Sequence, residues 1–340
     1  MKPNHPITTF LFKCILALLP LLFLIGYTAL FPFAYMDAEY PSWAYTKDVA
    51  SGKLTVAAAA DSEADMILIL GDSRAMADLV PGEFDSPAQN LALGGATTIE
   101  MYYTLSDYLT HHEPPSAAVI LFAPFHYSYM DNFWQRTIYF NYLSIPQMFE
   151  VFANANTVAS ETVLQEHYLI DSASYRLRLP DKYLPALINS RLCTRFSENN
   201  TAYEKLYAEG GHGLFGTAEG SSDLNYEVNY TQMKASGDSA LISLYFDKLL
   251  TLCAENKIDV IVEQPPMNEA SYEKLQESYI NEYTFYIEEI QKKYPSFSIN
   301  SSIPCYKNDF FGDSSHLNEK GALAFTQDFK EKYKNILLTN

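Results

Sequence analysis

The chain has 340 residues, of which 48% are hydrophobic, and this is enough apolar material for one large domain or two of ordinary size. Its net charge is −18, from 41 acidic and 23 basic residues, so its surface repels the phosphate backbone of nucleic acids. We therefore expect no nucleic-acid partner. The four cysteines show neither CxxC nor zinc-ligand spacing, so no metal and no cofactor is expected. Cys193, Cys253 and Cys305 lie outside the N-terminal segment, and they form either one disulfide and one free thiol or three free thiols.

An uncharged, mostly apolar stretch runs from Cys14 to Tyr35, and about 20 apolar residues suffice for a helix to cross a bilayer. Two lysines precede the stretch and two acidic residues follow it, which places the N-terminus in the cytoplasm and the rest of the chain outside. We expect residues 1–35 to be a cytoplasmic tip and a single transmembrane anchor. A cleaved signal peptide is the alternative, but the apolar run is longer than a usual signal core and no clear cleavage site follows closely.

Residues 36–64 contain several aromatic residues and then a run of alanines, a composition that predicts a stalk. From residue 65 onward, short apolar runs alternate with helical patterns, which is typical of an α/β fold with a central parallel sheet. Thr97 and Glu100 have the spacing of a capping box at the start of a helix. Residues 65–340 thus form one α/β domain, with an aromatic-rich insertion at about 127–236. The strands are predicted at 66–70, 89–93, 117–123, 258–263 and 297–299.

The sequence Gly71-Asp72-Ser73 follows the first predicted strand and precedes a predicted helix. A serine in this place lies at the carboxyl edge of a parallel sheet, where α/β folds bind their ligands. A Gly-Asp-Ser turn is common, so the tripeptide by itself is weak evidence for a nucleophile. The rest of the chain has to supply a base for the hydroxyl group.

Asp313 and His316 occur together in Asp-Ser-Ser-His, in a predicted loop just before the last helix. A serine needs a base to take its proton, and an imidazole needs an anion that orients it. An aspartate three residues before the histidine meets this need within one loop. Gly95, after the second strand, has no side chain and can bring its backbone N–H close to a developing oxyanion. We expect His316 to lie within about 3.5 Å of Ser73 Oγ.

These motifs resemble those of the SGNH (GDSL-type) hydrolases and acyltransferases. The resemblance rests on GDS at 71–73, NLALGGATT at 90–98 and DSSH at 313–316, and it spans about residues 65–125 and 236–340. It implies an SGNH, flavodoxin-like three-layer sandwich in which Ser73 is the nucleophile, His316 the base and Asp313 its orienting partner. The backbone N–H groups of Ser73 and Gly95 are then oxyanion donors.

The family usually places an oxyanion asparagine after the third strand, in a Gly-x-Asn-Asp setting, whereas this chain has Ala-Pro-Phe-His at 123–126. Two residues in loops at the same sheet edge are candidates for the third donor, namely His126 and Asn268. We prefer Asn268, because an amide donates at every pH while a neutral histidine donates from one ring nitrogen only. Arg74, directly after the serine, is a further candidate substrate-binding residue.

Two hypotheses follow. The first is an extracytoplasmic, membrane-anchored esterase or O-acyltransferase that acts on an acyl ester or a cell-envelope glycan. The second, favoured by the absent asparagine, is a catalytically weak or inactive accessory subunit. The anchor, the outward orientation and the insertion are similar to those of DltD-like and alginate-acetylation-like proteins, which implies a membrane-bound O-acyltransferase as a partner.

Overall fold

A computed structural model describes residues 6–54, 65–130 and 132–338. It contains seven short strands and, within those ranges, thirteen α-helices. The strands are β1 Ile67–Gly71, β2 Ala88–Asn90, β3 Ala117–Leu121, β4 Asp259–Glu263, β5 Met267–Asn268, β6 Ser298–Ile299 and β7 Cys305–Tyr306. The helices are α1 Pro6–Leu30, α2 Tyr40–Ala50, α3 Ser73–Asp78, α4 Thr98–His111, α5 Ile145–Val158, α6 Tyr168–Arg176, α7 Pro180–Asn189, α8 Phe196–Ala208, α9 Gly237–Glu255, α10 Glu269–Tyr272, α11 Glu277–Lys293, α12 Glu319–Lys332 and α13 Lys334–Leu337.

The centre of the fold is a five-stranded parallel sheet with the strand order β2-β1-β3-β4-β6. Each of the five strands overlaps a strand predicted from the sequence, although β2 ends three residues before its predicted end. A second sheet pairs β5 with β7, and the sequence did not predict it. The prediction of an α/β fold with a central parallel sheet is therefore confirmed.

Both faces of the sheet are covered, because alternate residues of each strand join different apolar clusters. One cluster contains Leu68 and Ile120 with side chains from α4, α9 and α11. The other contains Ile69 and Val119 with side chains from α12. Burial on both sides explains why the strands read as continuous apolar runs rather than as alternating patterns.

Helix α4 begins as its sequence predicts. The Thr97 backbone N–H donates to Glu100 Oε2 at 2.8 Å, and the Ile99 N–H donates to Thr97 Oγ1 at 3.4 Å, which completes the capping box. Asn318 caps α12, where Oδ1 accepts from the Gly321 N–H at 3.0 Å. The single helix predicted at about 271–293 is instead two, α10 and α11.

The predicted stalk contains regular structure in its first half. Helix α2 lies there, and Tyr45 and Val49 are buried in the same apolar cluster as the sheet residues. Residues 42–54 are thus part of the α/β domain, which corrects the expected stalk, because aromatic residues on a helix are packed wherever a core is available. The second half of the predicted stalk, residues 55–64, lies outside the described residues.

The chain divides into two compact units, one of residues 1–41 with 166–202 and the other of residues 42–165 with 203–340. The second unit contains both sheets. The first contains α1, α6 and α7, and the segment Ile7–Leu30 of α1 is long and apolar enough to cross a membrane. By length and composition this helix is compatible with a membrane anchor and with a signal sequence.

Candidate active site

The candidate nucleophile lies at the carboxyl end of β1. Gly71 ends this strand so close to β3 that a Cβ atom there would lie 1.8 Å from the Leu121 carbonyl oxygen, so only glycine fits. Asp72 then caps α3 by accepting the Arg74 N–H at 2.9 Å, and Ser73 is the first residue of the helix. The serine is partly exposed in an otherwise buried turn.

Ser73, His316 and Asp313 form a continuous chain of hydrogen bonds. Ser73 Oγ lies 2.8 Å from His316 Nε2, and His316 Nδ1 lies 2.9 Å from Asp313 Oδ2. An ionised Asp313 can only accept, so Nδ1 carries the ring proton and Nε2 is left to accept the serine proton. The predicted approach of His316 to Ser73 is therefore met by residues 243 positions apart in the sequence.

Asp313 is held as a carboxylate by its surroundings. Partial burial alone would raise its pKa, but the hydrogen bond and charge of His316 act in the opposite direction. The backbone N–H groups of Ser315 and His316 also donate to Asp313 Oδ1, at 2.7 and 2.8 Å. Together these contacts lower the pKa of Asp313 from 3.8 to about 2. The group is ionised throughout the neutral range and orients the imidazole.

Gly95 has a left-handed backbone, with φ of +70°, and lies in the turn before α4. A Cβ atom at this position would lie 2.3 Å from Asn132 Nδ2. The Asn132 amide thus fills the space beside Gly95 that any side chain would need. Within the described parts of the chain, this amide makes no hydrogen bond.

The sequence analysis missed Asn132, because it examined only the residues immediately after β3. Asn132 follows the end of β3 at Leu121 by eleven positions, beyond a 3₁₀ turn at Pro124–Tyr127. A search for any asparagine in the whole loop would have found it, although spacing alone would not have distinguished it from other loop asparagines.

The preferred third donor, Asn268, has a different role, which corrects the prediction. Its Nδ2 donates to the Ser221 and Asp223 carbonyl oxygens at 3.2 and 3.0 Å, and its Oδ1 accepts the Ser271 N–H at 2.9 Å as the cap of α10. Both amide protons are used and the side chain is fully buried. Asn268 therefore has no free donor for a substrate.

His126 is also committed to the protein through one ring nitrogen. Its Nδ1 lies 2.9 Å from Asp72 Oδ2, which also accepts the Ala123 N–H at 2.9 Å. Burial alone would raise the pKa of Asp72, but the hydrogen bond and charge of His126 outweigh it and the pKa is lowered. His126 is 4% exposed. Its contact with Asp72 connects the turn after β3 to the turn that contains Ser73.

Arg74 does not face a substrate, which corrects its assignment as a binding residue. Arg74 is 2% exposed, and its Nη2 donates to Glu227 Oε1 at 2.6 Å. Tyr279 Oη donates to the other Glu227 oxygen at 3.0 Å. Burial alone would lower the pKa of Arg74, but the charge of Glu227 raises it. The pair ties α3 to the insertion.

A loop of the insertion returns to the candidate site and places Phe215 on His316. The two rings are 4.8 Å apart at an angle of 22°, and Phe215 is 39% exposed. The loop is held there by two glycines in backbone contact, since a Cβ on Gly216 would lie 2.3 Å from the Gly312 carbonyl carbon. The Ala218 N–H also donates to the Gly312 oxygen at 3.3 Å. One wall of the site is therefore an exposed aromatic ring.

Asp78, on α3, holds the loop that contains Asp313 and His316 through a hydrogen bond to its backbone. Its Oδ1 accepts the N–H of Leu317, the residue after His316, at 3.1 Å, and its carboxyl group is fully buried. Burial raises the pKa of Asp78 well above its usual value.

Within residues 6–54, 65–130 and 132–338, no group of three or more His, Cys, Asp or Glu residues has an arrangement that could hold a metal ion.

Ser73, His316 and Asp313 therefore stand in the order that nucleophilic catalysis by a serine requires. The arrangement combines a hydroxyl group, an imidazole placed to accept its proton and a carboxylate that orients the imidazole. In comparisons with known proteins, no family matched this sequence, and no curated protein matched it either.

Proposed function

We propose that this protein is a membrane-anchored, extracytoplasmic acyl ester hydrolase or O-acyltransferase of SGNH type, with Ser73 as its nucleophile. The observation that carries the proposal is the hydrogen-bonded chain Ser73–His316–Asp313 at the carboxyl edge of the parallel sheet. Nucleophilic catalysis by a serine requires a hydroxyl group, an imidazole base and an orienting carboxylate in this order.

The reaction begins when Ser73 Oγ attacks the ester carbonyl carbon while His316 Nε2 takes the hydroxyl proton. The carbonyl oxygen becomes an oxyanion, which the backbone N–H groups of Ser73 and Gly95 and the Asn132 amide stabilise. The intermediate collapses, the alcohol leaves with the proton from His316, and the acyl group stays on Ser73. Water or a sugar hydroxyl then attacks the acyl-serine, and the same histidine takes and returns a proton.

Asn132 also supports an active enzyme over an inactive accessory subunit. The accessory hypothesis was motivated by the absence of an asparagine directly after β3. An amide beside Gly95 supplies the donor that seemed to be missing, although it comes from farther along the loop. The proposed oxyanion hole thus contains three donors of the kind that acyl transfer requires.

A glycan acceptor or substrate is supported by the exposed ring of Phe215 beside the base. Carbohydrate rings present flat apolar faces, and an aromatic side chain with 39% of its surface exposed can pack against one. A membrane-bound O-acyltransferase remains the partner that the family resemblance implies. Co-purification of the two proteins from detergent-solubilised membranes would check that part of the proposal.

The experiment on the chemistry uses the full-length protein and a serine-directed fluorophosphonate. We expect labelling of the wild type and turnover of a small acetyl ester, and loss of both in Ser73→Ala. Ser86→Ala is a matched control, because the Ser86 hydroxyl donates to the Leu337 carbonyl oxygen at 3.2 Å and lies outside the proposed site. Labelling that persists in Ser73→Ala would refute the nucleophile, and absence of both activities in the wild type would favour the accessory subunit.

The location is tested separately with the native cysteines. Cys305 is exposed and belongs to the α/β domain, so an impermeant maleimide should label it in intact cells if that domain is outside. Protection of Cys305 in intact cells, with labelling after lysis, would reverse the proposed orientation.

A further inference from the structure

Residues 166–202 expose an unusual amount of apolar surface. Six large apolar side chains in this segment have more than half of their surface exposed. They are Leu169, Ile170, Leu177, Ile188, Leu192 and Phe196. They lie on α6, on α7, in the turns that follow these helices and at the start of α8. A soluble surface rarely presents so many within so short a stretch, which indicates an interaction site.

The charge of this segment differs from that of the rest of the chain. Residues 166–202 contain five Lys or Arg against four Asp or Glu, whereas the whole chain contains 23 against 41. Four of the six arginines in the protein lie here, at positions 176, 178, 191 and 195. Arginine is the side chain best suited to bind phosphate groups, because its planar donors match their oxygen atoms.

A hydrogen bond sets the position of this segment along α1. Tyr27 Oη donates to the Leu192 carbonyl oxygen at 2.7 Å, and Tyr27 lies three residues before the end of α1. At a rise of about 1.5 Å per residue, the Tyr27 backbone is about 5 Å from the end of the helix, so its hydroxyl connects Leu192 to the last turns of α1. The rings of Phe23, Tyr27 and Phe31 form a continuous row there, as aromatic residues do at a membrane interface.

The backbone at the same tip is strained. Arg191 and Leu192 have φ values of +47° and +77°, a left-handed region that residues with large side chains rarely adopt. The result is that Arg191, Leu192 and Cys193 are all exposed at one turn. Residues with strained backbone conformations cluster at functional sites, so the strain supports a functional role for this turn.

We propose that α6, α7, the tip at 191–193 and the start of α8 form a lipid-binding surface that lies on the outer leaflet beside α1. The apolar side chains enter the boundary between headgroups and acyl chains, and Arg191, which is exposed at the tip, binds a lipid phosphate. The mixture of arginine with leucine, isoleucine and phenylalanine on short helices is that of interfacial helices. The proposal rests on α1 being an anchor, as proposed above, and does not depend on the chemistry at Ser73.

The test uses the native cysteine at the tip. Full-length protein with Cys14→Ser and Cys305→Ser retains Cys193 as its exposed thiol, while Cys253 is fully buried. An environment-sensitive fluorophore is attached to Cys193, and the protein is reconstituted in phosphatidylcholine vesicles with and without phosphatidylglycerol. Lipids that carry a nitroxide near the glycerol end of the acyl chain serve as quenchers. The matched control has Cys14→Ser and Cys193→Ser, with the fluorophore on Cys305.

We expect quenching at Cys193 to exceed quenching at Cys305 at least about threefold. We also expect phosphatidylglycerol to increase quenching at Cys193, and Arg191→Gln to reduce that increase. Protein that floats with the vesicles but shows no quenching at Cys193, or equal quenching at both sites, would overturn the lipid-binding surface and leave the anchor intact. Quenching that appears only in native membranes would assign the surface to a membrane protein and would also overturn the proposal. Protein that fails to float would refute the anchor itself.

Discussion

Replacement of Asn132 by alanine tests the proposed oxyanion hole most directly. The Asn132 amide lies against Gly95, and none of its protons is used within the described parts of the chain. Its loss should therefore leave the fold, the nucleophile and the base unchanged. One oxyanion donor contributes about 3 kcal/mol of transition-state stabilisation, and each 1.36 kcal/mol is tenfold in rate. We expect kcat to fall by roughly 100- to 200-fold with little change in KM.

The assay is steady-state hydrolysis of a small acetyl ester, with thermal unfolding of each variant measured in parallel. Asn154→Ala is a matched control, because Asn154 Nδ2 donates to Tyr245 Oη at 3.1 Å in a partly buried site on α5. That variant should lose about 1 kcal/mol of stability and keep its kcat. Asn132→Asp should be slower than Asn132→Ala, since a carboxylate repels the oxyanion.

The reasoning would be refuted if a folded Asn132→Ala protein turned over within twofold of the wild type, a difference of about 0.4 kcal/mol. The third donor would then have to come from another group, and the proximity of Asn132 to Gly95 would be a packing contact only. A rise in KM at constant kcat would also contradict the proposal, because it would show binding of the ground state and not of the transition state.

Three further predictions concern the base, the aromatic wall and the buried ion pair. Asp313→Asn should lower kcat by about 10³- to 10⁴-fold, because His316 would lose the anion that sets its tautomer. Since the pKa of Asp313 is lowered to about 2, its stabilising effect is present above pH 3.8 and is lost as the pH falls toward 2. The free energy of unfolding should therefore fall less between pH 3.8 and 2 in Asp313→Asn than in the wild type. Phe215→Ala should raise KM for a glycan ester more than for a small acetyl ester, and equal changes would argue against a carbohydrate-binding ring. Arg74→Met should destabilise the protein by about 3–5 kcal/mol in urea unfolding, because Glu227 would be buried without its partner, and the double variant with Glu227→Gln should recover part of that loss.

The sequence by itself determined where the five strands of the central sheet lie and which residues could form a nucleophile, a base and its orienting partner. Buried parallel strands are short apolar runs that end in glycine or polar residues, so β1, β3 and β4 could be read locally. Ser73 and the Asp313–His316 loop also stood out, because parallel strands present their carboxyl ends at one edge and a catalytic chain needs those residue types there.

Only the tertiary structure decided which other polar side chains reach that edge. Asn268 and Arg74 have suitable chemistry and suitable positions in the sequence, but both side chains are buried. The Asn268 amide donates to two backbone carbonyl oxygens, and Arg74 pairs with Glu227 through Nη2. Asn132 lies far from any motif and comes to Gly95 through the course of a long loop. A local pattern determines backbone structure, since the hydrogen bonds of helices and the periodicity of burial are local. The partner of a polar side chain is chosen among all groups that the fold brings within about 3 Å, and those groups are distant in the sequence.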